Sequence, residues 1–282
     1  MQPKKIINII NAQETQDGDG VKIFRSIGSR ELIDINPFLL LDELRSDKTA
    51  DYIGGFPSHP HRGFETITYL LSGQMRHEDS EGNQGVISAG GLQWMTAGSG
   101  IIHSEMPEVV QGRLWGFQFW LNLPAEQKMR APRYQEIQPK EIPELIMSNG
   151  VVRVLAGVVE SGEQKKIQGV ITDIATRPTL LDVQLEEGIW STELPSTQVT
   201  LVYAYSGSLN IEEVVLKEQQ LAILSDGDSV RINVNDAPFG ALILSADAIH
   251  EPIARSGPFV MNTQEELLQA YHDYRSGHFI NR

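Results

Sequence analysis

The segment TYLLSGQMRHEDSEGNQGVISAGGLQWM, starting at Thr68, has a counterpart in VYAYSGSLNIEEVVLKEQQLAILSDGDSV, starting at Val202. In each, a strand-like run ends in Ser-Gly, an acidic strand follows, then an apolar strand and a glycine turn. Ser72 and Ser206 stand 134 residues apart, close to half of the 282-residue chain. Self-similarity at that spacing constrains the fold strongly, because a duplicated unit must build two similar cores. The surrounding sequence consists of short β-branched and aromatic runs between Gly, Asn, Asp and Ser turns, such as LWGFQFWLNL at 114–123 and VRVLAG at 152–157. The pattern predicts an all-β chain of two sandwich or barrel domains.

The stretch NLPAEQKMRAPRYQEIQPKEIPEL, 122–145, is rich in proline and charge and lacks steady periodicity. The expected division is therefore a first domain over 1–125, a linker over 126–150 and a second domain over 151–282. One helix is predicted at the end of the chain, as a packing element. Thr263 stands three residues before Glu266, a capping-box pair, and Leu267, Leu268, Tyr271 and Tyr274 then recur at helical spacing.

The 23 basic and 37 acidic residues give a net charge of −14, a balance that argues against bare nucleic acid and anionic membrane as partners. There is no cysteine, so no disulfide or thiolate can be formed and any metal must be held by nitrogen and oxygen. The apolar run near the N-terminus is short and broken by Asn8 and Asn11, unlike a signal peptide or a membrane span. A soluble cytoplasmic protein is the expectation.

Two of the seven histidines lie in FPSHPHRGFE, 56–65. His59 and His61 are i and i+2, so on an extended strand both imidazoles leave the same face. Pro57 and Pro60 stiffen that piece of backbone. In TAGSGIIHSEMPE, His103 and Glu105 repeat the i and i+2 relation. Three imidazoles and a carboxylate, brought together by neighbouring strands, make a site for a divalent first-row transition metal. Glu65, four residues past His61, competes with Glu105 for the carboxylate position, and strand parity does not choose between them. His77 lies in the polar stretch MRHEDSEG and is expected to be solvated, while His272 and His278 flank the end of the helix.

Between His103 and His250 there is no histidine, so the second domain cannot rebuild the set. Counting back from the aligned glycines places Glu193 and Pro195 where the first domain has His59 and His61. The second domain is expected to keep the shape and lack the metal.

These motifs resemble the two signatures of the cupin superfamily. More closely, FPSHPHRGFETITYLLSG, LQWMTAGSGIIHSEMPE, FWLNLP with PRYQ, and GPFVMNTQEE resemble the pirin family, from about residue 18 to the C-terminus. The resemblance implies a bicupin, two jelly-roll-type cupin β-barrels with a short C-terminal helix and one metal in the first. It also implies the ligand set His59, His61, His103 and Glu105, leaving Glu65 beside it. Gly98 departs from the general cupin pattern, where proline is common.

The implied metal is iron(II), with Mn, Co, Ni, Cu and Zn as alternatives. The implied activity is quercetin 2,3-dioxygenase, in which O2 attacks a bound flavonol and Glu105 accepts the flavonol proton. A second class of function is a redox-responsive adaptor that binds other proteins, for which the acidic surface would suit a basic partner. Phe56, Phe64, Trp94 and Trp115 are candidates for a wall against a flat flavonoid or phenolic substrate, or for core. Arg62 is expected either to orient Glu65 or Glu105 or to lie at the surface.

Overall fold

A computed structural model describes residues 2–108, 112–161 and 165–280. The described residues form two compact units, one of Gln13–Pro139 with Ile249–Arg282, the other of Met1–Ala12 with Lys140–Ala248.

In chain order, β1 (Ile6–Asn11) belongs to the second unit, and the first unit begins with β2 (Gln13–Asp17), β3 (Val21–Ile27) and β4 (Phe38–Ser46). It continues through β5 (Phe56–His61), β6 (Phe64–Ser72), β7 (Gln74–Asp79), β8 (Gln84–Ser88), β9 (Leu92–Thr96), β10 (Ile101–Glu108), β11 (Leu114–Asn122) and β12 (Arg133–Ile137). These make a seven-stranded sheet in the order β12-β9-β6-β11-β4-β3-β2 and a four-stranded sheet in the order β5-β10-β7-β8. Val21, Ile23, Leu44, Leu70 and Leu114 from the first sheet meet Met75 and Ile87 from the second in one buried cluster. Burial of such side chains, at about 1.5–3 kcal/mol each, holds the two sheets together.

The second unit holds β13 (Glu144–Met147), β14 (Gly150–Ala156), β15 (Val158–Ser161), β16 (Lys165–Gln168), β17 (Thr179–Leu185), β18 (Gly188–Glu193), β19 (Gln198–Ile211), β20 (Val214–Lys217), β21 (Gln220–Leu224) and β22 (Ser229–Asp247). The repeat in the sequence reappears as a repeat in pairing. β11 lies between β4 and β6, and the end of β22 lies between β17 and β19. Thr68 pairs with Gln93, and Val202, 134 residues on from Thr68, pairs with Ala222.

These registers also correct the counting across the repeat. Glu105 faces His77 and Ile232 faces Ile211, while His103 faces His59 and Val230 faces Thr192. The residues standing for His59, His61, His103 and Glu105 are therefore Thr192, Leu194, Val230 and Ile232. Glu193 and Pro195 are one position off because the second unit has one residue more between this strand and its Ser-Gly. Leu194, Val230 and Ile232 are buried in the apolar core of the second unit.

Both termini cross over the division expected from sequence. β1 pairs with β21 and so joins the second unit. β23 (Ala254–Ser256), β24 (Phe259–Met261) and α1 (Gln264–Ser276) belong to the first. Thr263 and Glu266 form the reciprocal capping box, and Gly277, at φ 77°, closes the helix in the left-handed conformation. The buried helical face is Leu267 and Ala270, with Tyr271 packed beside them, whereas Leu268 is exposed. Arg62 fixes this helix. Its Nη1 donates to Asp273 at 2.7 Å, its Nε to the Ser99 carbonyl at 2.6 Å, and its guanidinium lies 4.4 Å from the Phe279 ring centre. It is thus neither exposed nor bonded to Glu65 or Glu105.

Candidate metal centre

β5 and β10 are antiparallel neighbours, and His59 lies directly opposite His103. Burial alternates along β10, so Ile101, His103, Glu105 and Pro107 face inward. Chain-local periodicity and strand pairing together bring His59, His61 and His103 into one group, whose candidate ligand atoms all lie within 4.8 Å of one another. Their ring centres are 4.4 to 5.0 Å apart.

The tautomers follow from the backbone. His59 Nδ1 lies 2.8 Å from the Pro57 carbonyl and His61 Nδ1 lies 3.4 Å from the Pro258 carbonyl. A carbonyl only accepts, so each Nδ1 carries the proton and each Nε2 presents a lone pair. Those two Nε2 atoms stand 3.0 Å apart. Two neutral lone pairs at that distance repel unless a cation sits between them. Nitrogen ligands about 2.1 Å from one ion, at right angles, are about 3.0 Å apart, so the spacing fits a shared metal.

His103 supports the same conclusion. It is buried, and neither ring nitrogen has a hydrogen-bond partner. An unsatisfied buried polar atom costs about 1–3 kcal/mol, which coordination would offset. Burial holds His61 and His103 well below the usual histidine range, and the neighbouring imidazoles add to it, so both are neutral at pH 7, the form that can coordinate a metal. The residues fit a bound transition-metal ion.

Glu105 is buried on the same face of β10, two residues beyond His103, but outside that three-histidine group. Its Oε1 accepts from Thr68 Oγ1 at 2.7 Å and from Gln93 Nε2, and its Oε2 accepts from Gln118 Nε2 at 3.3 Å. Glu65 has a different environment. Gly63, at φ 89°, separates β5 from β6, and it is Thr68, of opposite parity to Glu65, that reaches Glu105. Glu65 accepts from Thr96 Oγ1 at 2.6 Å, and burial pushes its carboxyl up to about 7.

His77 is buried rather than solvated. Its Nε2 lies 3.1 Å from Asp79, its ring stacks on Tyr134 at 4.3 Å, and its centre is 5.3 Å from that of His103. Polar neighbours in sequence conceal this, because the pairing of β7 with β10 sets His77 opposite Glu105. Gly98 has φ 52°, and a side chain there would collide with the Arg130 carbonyl oxygen. That approach explains the glycine in this loop.

A cavity of about 610 Å³ reaches His59 and His61. Its lining includes Phe56 and Pro57, Gln118 and Trp120 of β11, the Arg25–Asp42 pair, and Arg255 with Pro258. Of the four aromatic candidates, Phe56 lines this cavity, Phe64 and Trp94 are fully buried, and Trp115 donates to Glu43 at 2.7 Å. Trp120, which sequence reasoning passed over, packs against both His61 and Phe64. Its signal was the i, i+2 relation to Gln118, the residue that joins the cavity wall to Glu105.

Two cupin domains in one chain, the first carrying the histidine cluster and the second an apolar core in its place, define a bicupin. The model of the pirin family matches residues 20–121, and that of the pirin C-terminal cupin domain matches residues 180–280. The chain belongs to the pirin family. It is 45% identical over 278 residues to a Vibrio cholerae protein named "Putative quercetin 2,3-dioxygenase", covering 98% of each chain. It is 39% identical to human pirin over 282 residues, covering 97% of this chain and 93% of the human protein. A crystal structure described as quercetin 2,3-dioxygenase from Acinetobacter baumannii superposes with a TM-score of 0.87 at 33% identity, covering 98% of both chains. Among the described residues, no helix is long and apolar enough to cross a membrane.

Proposed function

We propose that this chain is a metal-dependent dioxygenase that opens the ring of flavonols such as quercetin, with His59, His61, His103 and Glu105 as the metal ligands. The observation that carries the proposal is the convergence of the His59 and His61 Nε2 atoms, 3.0 Å apart, at the wall of a 610 Å³ cavity. That volume falls in the range of small-molecule sites. The names carried by the Vibrio and Acinetobacter proteins support the same substrate class.

A divalent transition ion held there, iron(II) foremost, supplies a Lewis acid for the flavonol oxygens and a redox couple for O2. The residues of the chain do the rest. Glu105 accepts the proton of the flavonol 3-hydroxyl, and Thr68, Gln93 and Gln118 hold its carboxylate in place through their hydrogen bonds. Trp120 and Phe56 offer apolar faces to the flat rings and exclude water. Oxygen-electrode measurement with iron-loaded protein and quercetin tests the proposal. Quercetin-dependent oxygen uptake with carbon monoxide release is expected, and its absence at full metal occupancy contradicts it.

A further inference from the structure

One wall of the cavity runs from His61 across Trp120 to Arg255. The Trp120 ring meets His61 edge-on at 5.1 Å, and the Arg255 guanidinium lies 4.9 Å from the centre of the same indole. The other charged groups on that wall are already matched. Arg25 donates through Nε and Nη2 to both oxygens of Asp42, at 2.8 and 2.7 Å, and through Nη2 to Asp17 at 2.5 Å. Asp42 is thereby spent on Arg25, and burial pushes its carboxyl up to about 6.

Arg255 differs. It is half-buried, and the one hydrogen bond of its side chain among the described residues runs from Nη1 to the Leu39 carbonyl at 2.8 Å. A guanidinium has five N–H donors, so most of its fork remains unused while it faces the cavity. Burial, and then the nearby Arg25, disfavour its charged form while Asp34 and Asp42 favour it, and the unused donors facing the cavity would take an oxyanion or strong acceptor.

We infer that Arg255, laid on Trp120, forms a subsite for a phenolic oxygen at the end of a planar aromatic ligand remote from the histidines. The inference rests on the proposal that a flavonol binds by its hydroxyl-ketone edge at the histidine cluster. It adds that selectivity among such ligands is set by Arg255, which reads a hydroxyl on the pendant ring. Trp120 holds the guanidinium at the cavity wall, and the guanidinium supplies the donors that meet the hydroxyl.

The test compares quercetin, whose pendant ring carries two hydroxyls, with galangin, whose pendant ring carries none. Binding is titrated anaerobically to zinc-loaded protein, for the unaltered chain and for Arg255→Met and Arg255→Lys, with metal content checked in each. The unaltered protein should bind quercetin about tenfold or more tighter than galangin, the scale of a hydrogen bond to a charged group. Arg255→Met should bring quercetin down to the affinity of galangin and leave galangin unchanged, with Arg255→Lys between. Equal affinity of the unaltered protein for both ligands, or equal loss of both in the variants, overturns the subsite.

Oxygen uptake on the iron form separates this inference from the proposal beneath it. Equal binding with turnover removes the subsite and leaves the dioxygenase. Discrimination without turnover removes the dioxygenase and leaves the subsite, and failure of both ligands to bind removes both.

Discussion

His103 and Val230 occupy equivalent places in the two units, His103 opposite His59 and Val230 opposite Thr192, one buried without hydrogen-bond partners and the other buried in an apolar cluster. The duplicated frame thus displays the same position with and without a polar requirement. His103→Val should stabilise the metal-free protein by about 1–2 kcal/mol, because it removes two orphaned nitrogens. The same change should abolish stabilisation by added metal, which for the unaltered chain amounts to about 2.7 kcal/mol at one hundred times Kd. Thermal unfolding with and without iron(II) or zinc measures both effects.

Glu105→Gln keeps the size and the acceptor oxygen but removes the proton acceptor. If Glu105 is the base, turnover with quercetin should fall by about 10²–10⁴-fold. Flavonol binding to the zinc form should persist within a few-fold. Stopped-flow oxygen uptake and an equilibrium titration separate the two.

His77 and Asp79 should act on the metal through His103 rather than on substrate. Asp79 is anchored by Asn83 and by the Glu81 backbone N–H, and it holds His77 against Tyr134. His77→Phe should weaken metal affinity by about 10-fold or less, because His77 packs against His103 without a hydrogen bond to it, and a hydrogen-bonded partner is worth about 10–100-fold. It should also shift the visible spectrum of the cobalt-substituted protein. A spectrum and affinity identical to those of the unaltered chain would leave His77 a packing residue.

Two sets of buried groups act in opposite directions with pH. His61 and His103 are held below their ordinary value of 6.5, so the unfolded chain binds more protons and their contribution is lost as pH falls below about 6.5. Glu65 is raised from 4.5 to about 7, so stability is lost as pH climbs through that window. Glu65→Gln should therefore stabilise the protein relative to the unaltered chain at pH 8, by at most about 3 kcal/mol, and little at pH 4.5. Chemical denaturation at the two pH values reads the difference.

The parts of the site that were legible in the sequence are those governed by strand parity. His59 with His61, and His103 with Glu105, share faces because β5 and β10 are extended, and the 134-residue repeat announces the duplicated pairing. What was hidden depends on which strands become neighbours. Gln118 and Trp120 reach the cavity because β11 lies between β4 and β6, and Arg255 reaches it because the chain returns to the first unit after Ala248. His77 looks solvent-exposed among polar neighbours, and spacing leaves Arg62 between the surface and a carboxylate partner, yet Arg62 anchors α1 and His77 packs against His103. Long-range return of the chain has no local signature, so neither role could be read from spacing.

The central claim is that three imidazoles share one ion in the first cupin. The most direct measurement is an anomalous difference map from crystals of the protein loaded with iron(II), recorded on both sides of the iron edge. A single peak per chain, about 2.0–2.2 Å from the Nε2 atoms of His59 and His61 and from a ring nitrogen of His103, is the predicted result. A map with no peak among these rings at saturating metal, or with its peak elsewhere on the chain, would contradict it.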